Sequence, residues 1–449
     1  MSTIEKHDMT QGKILLPLVS FTIPLVLGNL FQLTYNAADS VIVGKYVGEQ
    51  ALAAVGTSTP IMNIAILLIS GMCMGASVLM SSQYGAKNYD TLSKQISTTM
   101  LAGCGFSVVF SLLMLLLATP VLRLIRVPET AIPEAAVYLR IIFLGLIFTF
   151  IYNFLANTMR ALGDSKTPLY FLVTSAFLNI FGDLFFVVVL RWGVAGSAIA
   201  TVCSEGLCCL LCGIYIKKKI PLLCLGKKWW VFDKSLLGKT VSYGSTSAMQ
   251  QVCLQLGKLI IQSVVNTQGV AVMAAFTAVN RVDDFAYTPQ QNIGHAMTTF
   301  LAQNKGAGHK ERMKKGFQTG LLIELVYSIG LFCVIWGLAP QIMTLFAEDG
   351  DAQVVSLGIS YLHLISWMYI LPGLTNGVQG FFRGIGDLKV TLYSTFMNMF
   401  GRVVAVFVMI RLLQMEFASL AWANMVGWIV MLLFEVPLLV KSMRNGECG

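Results

Sequence analysis

Apolar positions in this chain fall into long runs broken by short polar stretches. Twelve runs stand out, at approximately 14–44, 51–80, 96–118, 134–158, 168–190 and 194–216, then 236–265, 270–302, 316–338, 357–382, 389–411 and 417–440. A bilayer core about 30 Å thick needs roughly 20 apolar residues in a helix that rises about 1.5 Å per residue. The runs are far longer than barrel strands and lack strict alternation, so each predicts a membrane-spanning helix. The first, seventh and eighth exceed what a bilayer needs, which predicts tilt or bending.

Composition narrows the class further. Of 449 residues, 56% are hydrophobic and only 12% charged, and mean hydropathy is +0.73. A soluble domain carries about 25% charge, so this chain is solvated mostly by lipid. That excludes a cytosolic enzyme, a secreted disulfide scaffold, a disordered protein and a conventional nucleic-acid binder. The ten cysteines show no paired zinc-type spacing, and those at 203, 208, 209 and 212 read as packing residues in the sixth span. No cleavable signal peptide is expected, because the first apolar run is too long and has no cleavage pattern.

The net charge of +9 is a map of orientation. The N-terminus, the loops after spans 2, 4, 6, 8 and 10, and the C-terminus together hold 22 Lys and Arg, against six in the opposite loops. The positive-inside rule then places both termini in the cytoplasm, for a multi-pass protein of the inner (cytoplasmic) membrane. The run Lys217-Lys218-Lys219, with Lys227, Lys228 and the Trp229-Trp230 pair, reads as an anchor at anionic lipid headgroups.

The chain is written twice. Arg160-Ala161-Leu162-Gly163-Asp164 after span 4 answers Arg383-Gly384-Ile385-Gly386-Asp387 after span 10, at an offset of 223. Val19-Ser20-Phe21 answers Val241-Ser242-Tyr243, and Gly85-Ala86 answers Gly306-Ala307. The segment Asn179-Ile180-Phe181-Gly182 pairs with Asn398-Met399-Phe400-Gly401 at an offset of 219. The predicted fold is therefore an all-α membrane protein of two pseudo-symmetric six-helix bundles around a central cleft. Residues 1–216 form the N-terminal bundle, 217–235 a cytoplasmic linker and 236–449 the C-terminal bundle. Six spans per half preserve orientation, as in parallel-repeat transporters.

Ionisable groups inside spans are costly and mark candidate function. Span 1 carries Asp39, with Tyr35 and Asn36 four and three residues earlier on the same face. Span 5 carries Asn179 and Asp183 one turn apart, span 6 carries Thr201, and Asn153 and Asn157 close span 4. In the repeat, Asp39 faces Ile261, Asp183 faces Arg402 at the 219 offset, and Thr201 faces Ala423. Acids needed only by the fold would recur in both halves, so the asymmetry points to a function in the N-terminal bundle. Two acids in a desolvated pocket can share a proton, and the same oxygens suit Na⁺ as hard ligands. The residues propose a cation site and leave H⁺ or Na⁺ open. Pro24, about 22 Å before Asp39 along span 1, removes a backbone donor and is a candidate hinge.

Taken together, the whole chain resembles the MATE (multidrug and toxic compound extrusion) family. The resemblance rests on the two six-helix halves, the Gln83-Tyr84-Gly85-Ala86 and Gln303-Asn304-Lys305-Gly306-Ala307 loops, and the twin Arg-x-x-Gly-Asp loops. The Pro24/Asp39 pair resembles the DinF-like branch. That branch implies a coupling cation bound by Asp39, Asn179, Asp183 and Thr201, supported by Tyr35, Asn36, Tyr138, Asn153 and Asn157, with Pro24 bending span 1. The NorM-like branch has acids in spans 7 and 10, where this sequence has none. Span 8 adds Arg281, Asp283 and Asp284 as candidate substrate contacts, with Arg281 and Asp284 spaced to pair. Lys258, Glu205, Glu324, Arg402 and Glu435 have no assigned role at this level.

The expected function is secondary antiport, exporting amphipathic organic cations in exchange for H⁺ or Na⁺. The expected protein is a monomer among membrane lipids, with small organic substrates, no nucleic acid and no cofactor. A lipid or lipid-linked oligosaccharide flippase is the alternative, kept open by Lys258, Arg281 and Arg402. No metalloprotease motif, nucleophile elbow or P-loop is present. The Gly-x-Gly-Asp of 384–387 lies in a repeated loop rather than in a span, so an intramembrane protease is excluded and no enzyme is expected.

Overall fold

The structure, a computed structural model, describes residues 8–220, 230–346, 352–413, 417 and 419–444. Fourteen α-helices can be traced among the described residues. In the first half they are α1 (Leu15–Tyr46), α2 (Glu49–Gly85), α3 (Tyr89–Leu124), α4 (Ile132–Leu144), α5 (Leu146–Ala161), α6 (Lys166–Asp183) and α7 (Gly193–Lys219). The second half holds α8 (Lys234–Val265), α9 (Val270–Gly306), α10 (Lys310–Phe346), α11 (Ala352–Ser366), α12 (Ile370–Ile385), α13 (Leu388–Val406) and α14 (Ser419–Arg444). Helices suit lipid because they satisfy their own backbone polar groups.

Among the described residues, nine helical stretches are long and apolar enough to cross a membrane, and the bent pair α4–α5 makes a tenth. Helices α8 and α9, 32 and 37 residues long, complete twelve spans. They are more polar than the others because α9 carries Arg281, Asp283, Asp284, Gln290 and Asn292, and α8 Lys258 and several glutamines.

Four predicted spans, 4, 5, 10 and 11, depart from a continuous α-helix, each at a definite place. Span 4 divides into α4 and α5, bent by 47° at Gly145. The carbonyl of Gly145 accepts from both Phe148 and Thr149, and a Cβ on Gly145 would collide with Val202 of α7. Span 5 ends in a π-helical stretch, Leu184–Val189, immediately after Asp183. Span 10 is interrupted by a single 3₁₀ turn, Trp367–Tyr369, between α11 and α12. A second π stretch follows α13 at Phe407–Leu412. π insertions are frequent at functional sites, and these two recur at the same 223 offset as the Arg-x-x-Gly-Asp loops. Gly163 and Gly386 turn those loops with φ of 90° and 86°, a conformation that glycine adopts without strain.

The chain forms two compact units. Unit 1 includes Ile23–Ala248; unit 2 includes Met9–Thr22 and the chain from Met249 onward. In unit 1, Ile69, Cys73, Met80, Phe143, Phe150 and Phe154 make a buried core shared by α2, α4 and α5. A smaller cluster, Val43, Val55, Tyr138, Ile142, Val194 and Ala198, joins α1, α2, α4 and α7. In lipid such contacts act through close packing rather than exclusion of water. Gly71 and Gly75 of α2 permit it: a Cβ on Gly71 would lie 2.6 Å from the Ala248 Cα, and one on Gly75 would strike the Tyr243 carbonyl. The end of the mid-chain connection is held to α3, where Val231 N donates to Ser97 Oγ (3.0 Å) and Asp233 N to Thr98 Oγ1 (3.1 Å). Its basic run at 227–228 lies outside the described residues.

In unit 2 the core gathers Ile261, Val279, Ile335, Leu362, Ile365 and Val406. The N-terminal segment docks here: Arg312 donates to the carbonyls of Met9, Gln11 and Gly12. Arg383 is buried in this unit within a network of Gln379, Gln250, Thr391 and Thr395, its Nη2 donating to Gln379 Oε1 at 2.5 Å.

Candidate cation-coupling site

The four predicted ligands come from three helices of unit 1. Asp39 lies in α1, Asn179 and Asp183 on one face of α6 just before its π stretch, and Thr201 in α7. The fold brings them together. Asn179 Nδ2 donates to Thr201 Oγ1 at 3.2 Å, and Thr201 Oγ1 donates to the Ser197 carbonyl at 3.2 Å. Asp39 and Asp183 face each other carboxyl to carboxyl. The apolar cluster of Val43, Tyr138 and Ala198 packs beside them, so the site has a dry wall.

Donors and acceptors are badly matched at this point. Asp39 Oδ1 accepts from Ser197 Oγ at 2.8 Å. Asp183, however, is 0% exposed, and neither of its carboxylate oxygens receives a hydrogen bond among the described residues. The buried Asn179 Oδ1 is in the same position. Leaving one buried acceptor unpaired costs about 1–3 kcal/mol, and more when it is charged. Three unpaired acceptors beside a second carboxylate form a pocket of oxygen atoms short of positive charge. A proton or a small hard cation supplies what is missing.

The supporting residues divide into two groups. Tyr138 is buried within electrostatic reach of Asp39, Asp183, Tyr35 and Glu205, with its hydroxyl against Met62 Sδ at 4.0 Å. Tyr35 lies within reach of Asp39 and Glu205. Asn153 and Asn157 are set back: Asn153 Nδ2 donates to the Thr149 carbonyl (2.9 Å) and Asn157 Nδ2 to the Asn153 carbonyl (2.8 Å). They extend a polar face along α5, each bonded within its own helix. The side chain of Asn36 lies outside the described residues. Pro24 is buried in α1, which continues as a helix to Tyr46.

One residue of the cluster, Ser197, escapes the sequence reading, and Glu205 is named there without a role. Ser197 is the donor to Asp39, and Glu205 accepts from Thr149 Oγ1 at 2.5 Å. The signal is present in retrospect. Ser197, Thr201 and Glu205 follow one another at i, i+4 spacing on one face of α7, but only Thr201 belongs to the resemblance.

Span 8 differs from expectation. Asp284 pairs with Lys258 of α8 at 3.1 Å, replacing the expected partner Arg281, which is exposed. Asp283 turns inward instead: Tyr361 Oη donates to its Oδ2 (2.9 Å) and Tyr369 Oη to its Oδ1 (2.6 Å). Asn424 Nδ2 donates to Tyr361 Oη at 2.9 Å, and Arg402 lies within electrostatic reach. Asp283 is thus a satisfied buried acid. The register differs too: the π stretches, at the 223 offset, put Asn179 opposite Arg402 and Asp183 opposite Val406, in place of the 219 pairing.

Comparison with known proteins identifies the family. The MatE family model matches the chain twice, over residues 24–185 and 247–409, whose starts again differ by 223. The chain is 32% identical over 392 residues to the probable multidrug resistance protein YpnP of Bacillus subtilis, covering 87% of this chain and 86% of the relative. It is 29% identical over 389 residues to the probable multidrug resistance protein YoeA of the same organism, covering 85% and 82%. Its fold matches that of a multidrug resistance MATE family transporter of the MOP superfamily, solved in an outward-facing conformation, with a TM-score of 0.91 at 22% identity over 100% of this chain and 99% of the other. The duplicated matches span most of the sequence and coincide with the structural repeat: the chain belongs to the MatE family, and is a multi-pass membrane transporter rather than an enzyme.

Proposed function

We propose that the protein is an antiporter that exports amphipathic organic cations in exchange for H⁺ or Na⁺ bound at Asp39 and Asp183. The carrying observation is Asp183, fully buried beside a second acid with both oxygens lacking donors among the described residues. Two like charges about 4 Å apart repel by about 4 kcal/mol at an effective dielectric of about 20. Filling the site with a cation removes that repulsion, and the difference between filled and empty states is the free energy available for coupling. Asp39 shares α1 with Pro24, whose missing backbone donor gives the helix a place to bend as the site fills. The basic loops orient the protein with both termini in the cytoplasm of a cell whose inner membrane it crosses. Export of organic compounds follows the multidrug resistance relatives. Of the three cations that would serve a flippase, Lys258 is held by Asp284 and Arg402 lies within electrostatic reach of Asp283, while Arg281 stays exposed; the multidrug resistance relatives favour the antiporter.

The test is transport of a fluorescent organic cation in everted vesicles, driven separately by a pH jump and a Na⁺ jump. Wild type responds to one of the two ions, and Asp39→Asn loses that response at least tenfold. Undiminished ion-driven transport in Asp39→Asn sinks the site; no transport of any cationic dye sinks the substrate class.

A further inference from the structure

Glu324 of unit 2 is another acid that the packing leaves without donors. It sits in the middle of α10, 1% exposed, and neither carboxylate oxygen receives a hydrogen bond among the described residues. No salt bridge reaches it there. Across from it on α9 is Gln290, 0% exposed. Gln290 Nε2 is committed to Ser328 Oγ (3.1 Å) and the Tyr369 carbonyl (2.8 Å), while its Oε1 has no donor among the described residues. Ser328, one turn after Glu324, spends its hydroxyl hydrogen on a backbone carbonyl, that of Glu324 at 2.7 Å or Tyr369 at 3.3 Å. The polar group therefore holds three unpaired acceptors, and its own donors are spent elsewhere.

The three side chains converge on Gly373, in the first turn of α12. The point a Cβ would occupy there lies 2.9 Å from Ser328 Oγ, 3.2 Å from Gln290 Nε2 and 3.4 Å from Glu324 Oε2. Glycine thus lets α12 approach three polar side chains of α9 and α10 at a point where a methyl group would be crowded. A metal cation fits there poorly, because one of those atoms is an amide nitrogen that carries hydrogens.

Other titratable groups on the packed elements are engaged elsewhere. Asp283 of α9 holds Tyr361 and Tyr369, and Asp284 pairs with Lys258. Tyr287 of α9 packs its ring against Tyr369 and Trp428. Tyr327, on α10 itself, donates to the Ala286 carbonyl (3.1 Å). His363 of α11 stacks on Trp336 at 4.7 Å. His295, later on α9, lies about 140° around the helix from Gln290. Helix α12 brings Arg383, committed to Gln379 near the far end of that helix, and Glu435 of α14 lies toward Arg383, Ser394 and Gln379.

We propose that Glu324, Gln290 and Ser328 form a second proton-binding site, in which a proton on the Glu324 carboxyl donates to Gln290 Oε1 and ties α10 to α9 beside the 367–369 break. The bond would satisfy two of the three unpaired acceptors at once and remove an uncompensated charge from apolar surroundings. Because Gln290 and Ser328 also hold the Tyr369 carbonyl, this proton secures the turn whose side chain holds Asp283. The proposal does not depend on the function assigned to Asp39 and Asp183.

Infrared spectra of the full-length protein in lipid, in an Asp39→Asn/Asp183→Asn background at neutral pH, test it. A protonated carboxyl has a C=O band that shifts in D₂O. Glu324→Gln should remove one such band and leave the carboxylate bands unchanged; loss of a carboxylate band instead overturns the proposal. Adding NaCl at constant pH should leave the band in place, and its disappearance would assign the site to a metal cation. Gly373→Ala, which puts a methyl group against the carboxyl, should shift the band without abolishing it. If Glu324→Gln is not recovered folded, an unshifted spectrum in Gly373→Ala overturns the assignment.

Discussion

The two units build their polar centres on one plan and end with opposite electrostatics. Tyr138 of unit 1 and Tyr361 of unit 2 are counterparts at the 223 offset, and each points its hydroxyl at the second helix of its half. Tyr138 meets Met62; Tyr361 meets Asp283, which replaces that methionine at the 221 offset between α2 and α9. Asn179 corresponds to Arg402, Thr201 to Asn424 and Asp183 to Val406. Unit 2 therefore gives Asp283 two tyrosine hydroxyls and a nearby guanidinium. Unit 1 places two acids together and withholds donors from one. A buried acid that is supplied is a structural part; one left without donors is where the proposed cation would bind.

Exchanging the roles tests that contrast most severely. Asp283→Leu should destabilise the protein by about 3–5 kcal/mol, since it strands Arg402 and two tyrosine hydroxyls; thermal unfolding in detergent reads this. Asp183→Val, installing the residue of the other unit, should abolish ion-driven transport in vesicles. It should leave stability unchanged or raise it by about 1–4 kcal/mol, because an unpaired buried charge disappears. A large loss of stability in Asp183→Val would show that Asp183 is supplied after all.

Smaller effects sharpen the comparison. Gly75→Ala should cost about 1–3 kcal/mol by forcing α2 away from the Tyr243 carbonyl of α8, again by thermal unfolding. Ser197→Ala removes the donor to Asp39 and should cost about 1 kcal/mol, with altered ion dependence of transport as its specific signature. The Lys258–Asp284 pair, each side chain about half exposed, should show a coupling of at most about 1 kcal/mol in a double-mutant cycle.

How much of this is legible in the sequence varies with the range of the interaction. Hydrophobic run length predicts the spans, because lipid thickness imposes it locally. The asymmetric placement of Asp39 and Asp183 singles them out, because an intramembrane acid is costly wherever it lies. The departures from a continuous helix in spans 4, 5, 10 and 11 are not legible. Gly145 looks like any membrane glycine until Val202 of α7 is packed against it, and nothing in Leu184–Val189 announces a π stretch. Arg281 and Asp284 satisfy a local spacing rule that Lys258, on the preceding helix, overrides.

Amino-acid sequence alone determined the membrane class and the duplication, properties summed along the chain or set by a local cost. Only the tertiary structure decided which buried polar groups find partners. It separated Asp283, bonded by two tyrosines, from Asp183 and Glu324, which no donor among the described residues reaches, and it brought Ser197 to Asp39. Hydrogen-bond supply depends on atoms brought within about 3 Å from distant helices, and no periodicity or composition records that distance.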